Sequence, residues 1–409
     1  MHIKLLVLFF LMQISAMATT PKELWQNTVK KELTVEKTQA ETNQTALQYD
    51  QVKSAFFPTL DLKAKHARFD PYSGSSTTTN TQTTTWLNLQ QTIFKGTSEY
   101  YGLKEYSFKA DAAEYLLSNS ELKFYEKILD HVYKLLTIRS DLKNTDKQVK
   151  LLDQRVQELK RRLKIGRSRR SEVLQASSQS ASLNATLIDL QTQAKGAEYE
   201  LKELLQLTEI PQNLNIDLIN EKIPELGYFL ANTNKHPQVM SLQKSIEASD
   251  YAVGAYRGGH FPTVTFDSNY YLNREGSQKD SEWDFSVNLT LPIYSGGETS
   301  SKVEESVQKK TAIIIEQKID ERDRSVNITN LYGQIMSNPN REKSLAEALK
   351  LSEENYQENI KESQLGVISN LDLMGALQTF IEAQKAWDKF LLEKTYKINL
   401  LYLAIGEVR

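Results

Sequence analysis

The sequence predicts a mainly α-helical fold with a small β part, written as two structural repeats that each carry a β-hairpin and long coiled-coil helices. Three observations lead there. Turn formers are scarce: 16 Gly and 9 Pro serve 409 residues, roughly half the usual shares of about 7% and 5%, so elements are long. Landmarks recur in order. Phe57-Pro58-Thr59-Leu60-Asp61-Leu62 returns as Phe261-Pro262-Thr263-Val264-Thr265-Phe266, and Ile93-Phe94-Lys95-Gly96 returns as Ile293-Tyr294-Ser295-Gly296. Lys164-Ile165-Gly166 with Ser171-Glu172-Val173-Leu174 returns as Gln364-Leu365-Gly366 with Leu371-Asp372-Leu373-Met374. The offsets are 204, 200 and 200 residues, which marks internal duplication. Finally, the apolar period changes within each half from two to the three-four rhythm of a coiled coil.

Taken in order, residues 1–18 read as a secretory signal peptide. Lys4 precedes the apolar run Leu5 to Met12, and Ala16-Met17-Ala18 is a small-x-small cleavage signal. No later run reaches eighteen apolar residues, so no membrane-spanning helix is expected. The first repeat then covers 19–207. Lys22 to Ala55 reads as helical, followed by a strand hairpin at about 57–95. Leu60, Leu62 and Ala64 alternate with Asp61, Lys63 and Lys65, and the phase is lost near His66. Leu87, Leu89 and Ile93 alternate with Asn88, Gln90 and Thr92. Ser73 to Thr85, almost all Ser and Thr, reads as the solvated loop between the strands. Such alternation fits a half-buried strand of a soluble sandwich, or a strand crossing a bilayer with lipid on one side and water on the other.

Helices come next. Val149, Leu152, Val156, Leu159 and Leu163 form one stripe; Leu183, Leu187, Leu190, Ala194, Ala197, Leu201 and Leu204 form another. Gly96 and Gly166 are 70 residues apart, as are Gly296 and Gly366; a helix filling either interval would be about 105 Å long at 1.5 Å per residue. A connector at 208–235 holds two Pro and little periodicity. The second repeat, 236–409, starts with a helix from His236 to Gly254 that has Pro237 in its first turn. Its hairpin lies at about 261–294: Val264, Phe266, Ser268, Tyr270 and Leu272 alternate with polar residues, as do Phe285, Val287, Leu289, Leu291 and Ile293. Asn273 to Glu282 reads as the loop. Leu373, Leu377, Phe380, Trp387, Leu391 and Ile398 make the last stripe, interrupted by Gln384. Such stripes serve a soluble bundle as readily as a tubular assembly.

Composition excludes much. With no Cys there is no disulfide framework, thiolate metal site or Cys nucleophile. Lys plus Arg (50) nearly balances Asp plus Glu (52), so no basic field points to nucleic acid. The five His are scattered, and no Walker-type or Gly-x-Ser-x-Gly motif occurs. No cofactor, metal or catalytic constellation is expected, and the chain does not read as an enzyme.

At this point the residues resemble the outer-membrane efflux protein family, the TolC-like exit ducts of Gram-negative bacteria. The Phe57-Pro58-Thr59 and Phe261-Pro262-Thr263 strand starts carry the resemblance. So do Leu291-Pro292-Ile293-Tyr294-Ser295-Gly296-Gly297, the Leu365-Gly366 turn with Leu371-Asp372-Leu373, and the closing Leu403-Ala404-Ile405-Gly406. Pro58, Pro262, Pro292, Gly96, Gly296 and Gly297 then mark strand boundaries. The resemblance implies a homotrimer whose four strands per subunit close a twelve-stranded transmembrane β-barrel, continuous with a periplasmic helical barrel. It implies an outer-membrane location with lipid around the barrel, and docking to a periplasmic adaptor and an inner-membrane transporter in tripartite efflux or type I secretion. The alternative is a periplasmic coiled-coil structural or adaptor protein without a pore, which would have no use for four amphipathic strands.

Two sets of candidate site residues follow. Arg161, Arg162, Lys164, Arg167, Arg169 and Arg170 put six cations into ten residues around Gly166, without an acid among them. They form either a solvated helix end or a basic docking surface for the adaptor, with Gly166 and Gly366 matching the family's turn glycines. Asp372 matches a carboxylate that rings the closed periplasmic gate in the family, and Glu172 an acid of the closing network. Either Asn370 or Asp372 is a candidate N-cap as well. Gly375, Ile368 and Ser363 stand where a second ring acid, a gate Arg and a gate Tyr would be, which implies a loosely held gate.

Overall fold

The computed structural model describes residues 19–68, 81–211, 213–216, 222–275 and 279–409. The expected signal peptide and most of the first hairpin loop lie outside the described residues. The chain falls into two compact units, each drawing segments from both halves of the sequence. One comprises residues up to Glu36, Ser120–Thr233 and Arg324–Arg409; the other comprises Lys37–Asn119 and Asn234–Asp323.

Helix α1 (Pro21–Thr28) begins with a capping box: Thr20 Oγ1 accepts the Glu23 N–H at 3.2 Å, and Glu23 accepts the Thr20 N–H at 3.3 Å. Helix α2 (Leu33–Ser54) leads to strands β1 (Thr59–Arg68) and β2 (Thr81–Lys95), then to α3 (Ser98–Lys164), 67 residues without a break. Helix α4 (Arg170–Leu205) is followed by the short α5 (Leu226–Ala231) and by α6 (Pro237–Arg257), which has Pro237 at its first position. Strands β3 (Thr263–Arg274) and β4 (Trp283–Thr290) precede α7 (Glu298–Met336), α8 (Asn338–Leu365) and α9 (Asn370–Leu403).

Four sequence expectations need correction. The second long arm is broken at Ser337, because Pro339 has no N–H to continue the ladder and crowds the preceding turn. The connector is not featureless: α5 buries Phe229 against Ile328, Ile398, Leu401 and Tyr402. The strands are displaced from their expected ends. β2 starts at Thr81 and β3 runs to Arg274, taking residues assigned to the loops, while β1 pairs beyond His66 and β4 stops before Leu291 and Ile293. Lastly, a bulge places Phe94, and not Ile93, opposite Val264.

In the first unit the coiled-coil stripes become core. Leu152, Val156 and Leu159 of α3 pack with Val173 and Ala176 of α4 and with Met374 of α9. Tyr356 of α8 packs with Leu373, Leu377 and Phe380 of α9. Leu183, Leu187 and Leu190 are only half buried, and Phe390 is buried where the stripe points to Leu391.

In the second unit the strands form one antiparallel sheet in the order β1-β2-β3-β4. Its register puts Leu62 beside Leu87, Leu60 beside Leu89, Phe266 beside Val287 and Val264 beside Leu289. The opposite face carries Lys63, Asn88, Asn269, Asp267, Asp284 and Asn288. Gly96 makes the corner from β2 into α3. Its φ is +63°, and an added Cβ would stand 2.0 Å from the carbonyl oxygen of Gly258, so this close approach tolerates no side chain.

Candidate functional site

The candidate residues fall in two places, the helix turns of the first unit and the sheet of the second. Gly166 ends α3 with φ +72°, and the Arg167 N–H returns to the Arg162 carbonyl at 2.8 Å. Gly366 ends α8 in the same way, with φ +76° and the Val367 N–H on the Glu362 carbonyl at 3.0 Å. These are Schellman-type stops, for which the left-handed conformation selects glycine. The next helix starts in parallel fashion at each turn. Glu172 Oε2 accepts the Ser168 hydroxyl at 2.6 Å and the Arg169 N–H at 3.1 Å, and these bonds hold its carboxyl below the usual range. At the other turn Asp372 accepts the Ser369 N–H and hydroxyl at 3.1 and 2.7 Å, while its own N–H donates to Ser369 Oγ at 3.2 Å. The N-cap of α9 is therefore Ser369, neither Asn370 nor Asp372, and Asp372 is the acidic partner three residues on.

Of the six clustered cations, Arg161, Lys164, Arg167, Arg169 and Arg170 are exposed with no paired carboxylate among the described residues. Arg162 differs. It is half buried, pairs with Glu158 at 2.5 Å and donates to the Ser363 carbonyl at 3.2 Å. The acid missing from the ten-residue window comes from one turn earlier on α3. Four exposed apolar side chains, Ile165, Leu365, Val367 and Leu371, accompany the cations at these two turns.

The residue that sequence reasoning missed is Arg155. Only 11% of its side chain is exposed, and its guanidinium binds three helices at once. Nε donates to Asn370 Oδ1 on α9 at 2.8 Å, one terminal nitrogen donates to Ser363 Oγ on α8 at 2.7 Å, and the other pairs with Glu158 on α3 at 2.7 Å. Burial raises the Glu158 carboxyl, but hydrogen bonds and charge from Arg155 and Arg162 outweigh it and hold the group below the usual range. Ser363, which stands where the resemblance expects a gate tyrosine, is an acceptor for two arginines. A signal for Arg155 exists in the sequence, since it lies three residues after Leu152 and four before Leu159, on the buried side of the stripe. A charged residue there is ordinarily assigned to a solvated flank.

On the sheet, the polar face is joined across all four strands. Lys63 Nζ donates to Asn88 Oδ1 at 2.7 Å, Asn88 Nδ2 to Asn269 Oδ1 at 2.8 Å, and Asn269 Nδ2 to Asp284 Oδ1 at 2.8 Å. Asn288 donates to Asp267 at 3.0 Å. The other face presents Leu60, Leu62, Phe285, Val287 and Leu289, each more than 60% exposed. Among the described residues neither β1 nor β4 has a strand on its outer side. Pro58 and Pro262 precede β1 and β3, Pro292 follows β4, and Gly296 and Gly297 (φ +64° and +85°) turn the chain toward α7. Among the described residues no group of three or more His, Asp or Glu is placed to hold a metal, and no helix is long and apolar enough to cross a membrane.

Comparison with known proteins bears on both places. The sequence model of the outer membrane efflux protein family matches residues 24–206 and 232–407. The outer membrane efflux protein BepC of Brucella suis is 20% identical over 348 residues, 82% of this chain and 74% of BepC. In fold, the chain is similar to a crystal structure of CusC, with a TM-score of 0.85 at 14% identity over 95% of this chain and 92% of that one. It is also similar to the outer membrane protein VceC of Vibrio cholerae, with a TM-score of 0.82 at 16% identity over 95% and 96% of the two chains.

Proposed function

The chain belongs to the outer membrane efflux protein family, and from that premise we propose that it is the passive exit duct of a tripartite efflux or type I secretion system. The observation that carries this is the sheet. It combines a hydrogen-bonded polar face, an opposite face of exposed large apolar residues, and two open edges. In water each exposed Leu or Phe forfeits roughly 1.5–3 kcal/mol of burial. In a bilayer the apolar face is solvated by lipid, but each unpaired edge group is then very costly. Both demands are met if three copies close twelve strands around a water-filled passage, polar face inward. A periplasmic adaptor without a pore has no use for such a sheet.

The helix turns supply the periplasmic end. In this reading the exposed cations at the α3–α4 turn, with Gly166 and Gly366 at the tips, dock a periplasmic adaptor that connects to an inner-membrane transporter. Asp372 repeats three times around the passage axis and draws cations to the opening, a role compatible with its capping box. Arg155 ties α8 and α9 to α3 and keeps this end closed, so the gate has a basic partner on α3 in place of the one expected at Ile368. Energy comes from the transporter; the duct itself performs no chemistry. The test is threefold: sedimentation with outer membranes, migration as a heat-labile trimer, and ion conductance in planar bilayers. A chain found monomeric in the soluble periplasmic fraction, without conductance, overturns the reading.

A further inference from the structure

The polar face of the sheet is not uniform. A bulge opposite Thr85 and Trp86 sets Thr84 against Arg274 and Trp86 against Tyr271, so Tyr271 and Arg274 share one face although they are three residues apart. Without the bulge the two would point to opposite faces, since side chains alternate along a strand. The Arg274 guanidinium consequently lies 3.9 Å over the Tyr271 ring, and Trp86 lies beside that ring at 6.3 Å. Across β2 from this group, Lys63 is paired with Trp86 and Lys65 with Thr84. Together these side chains surround an open cleft of about 510 Å³ floored by Thr84 and Trp86, within the usual range for a small-molecule site of roughly 300–1,000 Å³.

We propose that this cleft binds a small aromatic anion, its ring against Trp86 and Tyr271 and its sulfonate, carboxylate or phosphate between Lys65 and Arg274. Lys65 is exposed and has no hydrogen-bond or ion-pair partner among the described residues. Arg274 approaches Asp284 at 3.6 Å, but Asp284 is also engaged by Asn269 and Tyr271 at 2.8 Å each. Glu275, the acid lining the cleft, is turned to the Thr83 N–H at 2.6 Å. Lys63 stands 4.0 Å from Asp61, so Lys65 is the cation of the cleft that has no carboxylate beside it among the described residues, and it is this charge that favours an anion. The aromatic component follows from the platform: Trp86, Tyr271 and the planar Arg274 group offer π-surface and cation–π contact that an inorganic anion cannot use. Lys65 and Arg274 flank Thr84 one strand to either side, about 10 Å apart at the usual strand spacing, a span suited to a fused ring with acidic substituents. Access from the passage rests on the duct reading. Affinity does not.

The test uses the full chain, solubilised in detergent, titrated into pyranine, a trisulfonated hydroxypyrene whose fluorescence anisotropy reports binding. Saturable binding is expected, with half-saturation moved at least tenfold higher in both Lys65→Gln and Arg274→Gln. Lys65→Gln changes an exposed side chain without partners among the described residues, so it keeps the test open if the Arg274 variant fails to assemble. Inorganic sulfate at equal concentration is expected to displace little pyranine. The site is overturned if binding is unaltered in Lys65→Gln, if assembled protein shows no saturable binding, or if sulfate competes as well as pyranine. Protein that binds pyranine with the expected variant pattern yet conducts no ions in a bilayer supports the site and overturns the duct.

Discussion

Replacing Arg155 by Met should open the periplasmic end. Met preserves much of the apolar stem and deletes the guanidinium, which removes its bonds to Asn370 Oδ1 and Ser363 Oγ and its pairing with Glu158. Hydrogen bonds to a charged group contribute roughly 1.5–3 kcal/mol each. Two such contacts tie α8 and α9 to α3, and Arg162 still reaches both Glu158 and the Ser363 carbonyl. Taking the lower value for each because of this retained link, the loss is about 3 kcal/mol, on the order of a hundredfold shift in a two-state equilibrium. The assay is single-channel recording in planar bilayers, where the variant should spend far more time in a high-conductance state. Ser363→Ala should have a smaller effect alone and add little when combined with Arg155→Met, because its partner is already gone. Unaltered conductance in Arg155→Met, with trimers intact, refutes the clamp. The pH dependence has a defined sign. Glu158 is held below its ordinary value in the folded chain, so its contribution is present above the unfolded carboxyl pKa of about 4.3 and is lost as pH falls through the lower folded value. The loss of thermal stability of the wild-type chain as pH falls through that window should be blunted in Glu158→Gln.

Gly96→Ala should prevent assembly, since its Cβ meets Gly258 O at 2.0 Å in a left-handed conformation; Gly166→Ala, with open space around it, should cost only about 1–2 kcal/mol in a thermal melt. Leu289→Arg on the apolar face should lose about 2–4 kcal/mol of membrane-inserted stability near the bilayer midplane, while Asn288→Arg should assemble normally; equal insertion of the two refutes the strand phase. Charge reversal of Arg167 and Arg169 together should abolish export and leave the trimer intact, as judged by drug or substrate retention in cells. Asp372→Asn should weaken cation selectivity and block by multivalent cations in bilayers, with no more than about 1 kcal/mol lost from the capping box; wild-type selectivity in that variant leaves Asp372 as a capping partner alone.

Local periodicity and backbone angle were legible in the chain alone. The alternation of Leu60 and Leu62 with Asp61 and Lys63, the stripe through Leu152 and Leu159, and the glycines at 96, 166 and 366 each state a local requirement, and the elements formed where these residues place them. The break at Ser337 went unread, although Pro339 acts on its own turn and signals it. Tertiary structure decided what depends on residues far apart in the chain. The lengths of β2 and β3 exceed their apolar pattern because Thr81 to Thr83 pair with His66 to Arg68 of β1, and Thr84 and Thr85 with Arg274 and Asn273 of β3, and pairing rewards polar residues as readily as apolar ones. The bulge that gathers Tyr271 and Arg274 arises from register between strands about 180 residues apart in sequence. Arg155 is the clearest case. Its spacing from Leu152 and Leu159 puts it on the buried side of its helix, but its partners cannot be read there, because Asn370 and Ser363 are more than 200 residues away. A buried guanidinium is tolerable only where its donors find acceptors, and only the packed helices bring those acceptors to it.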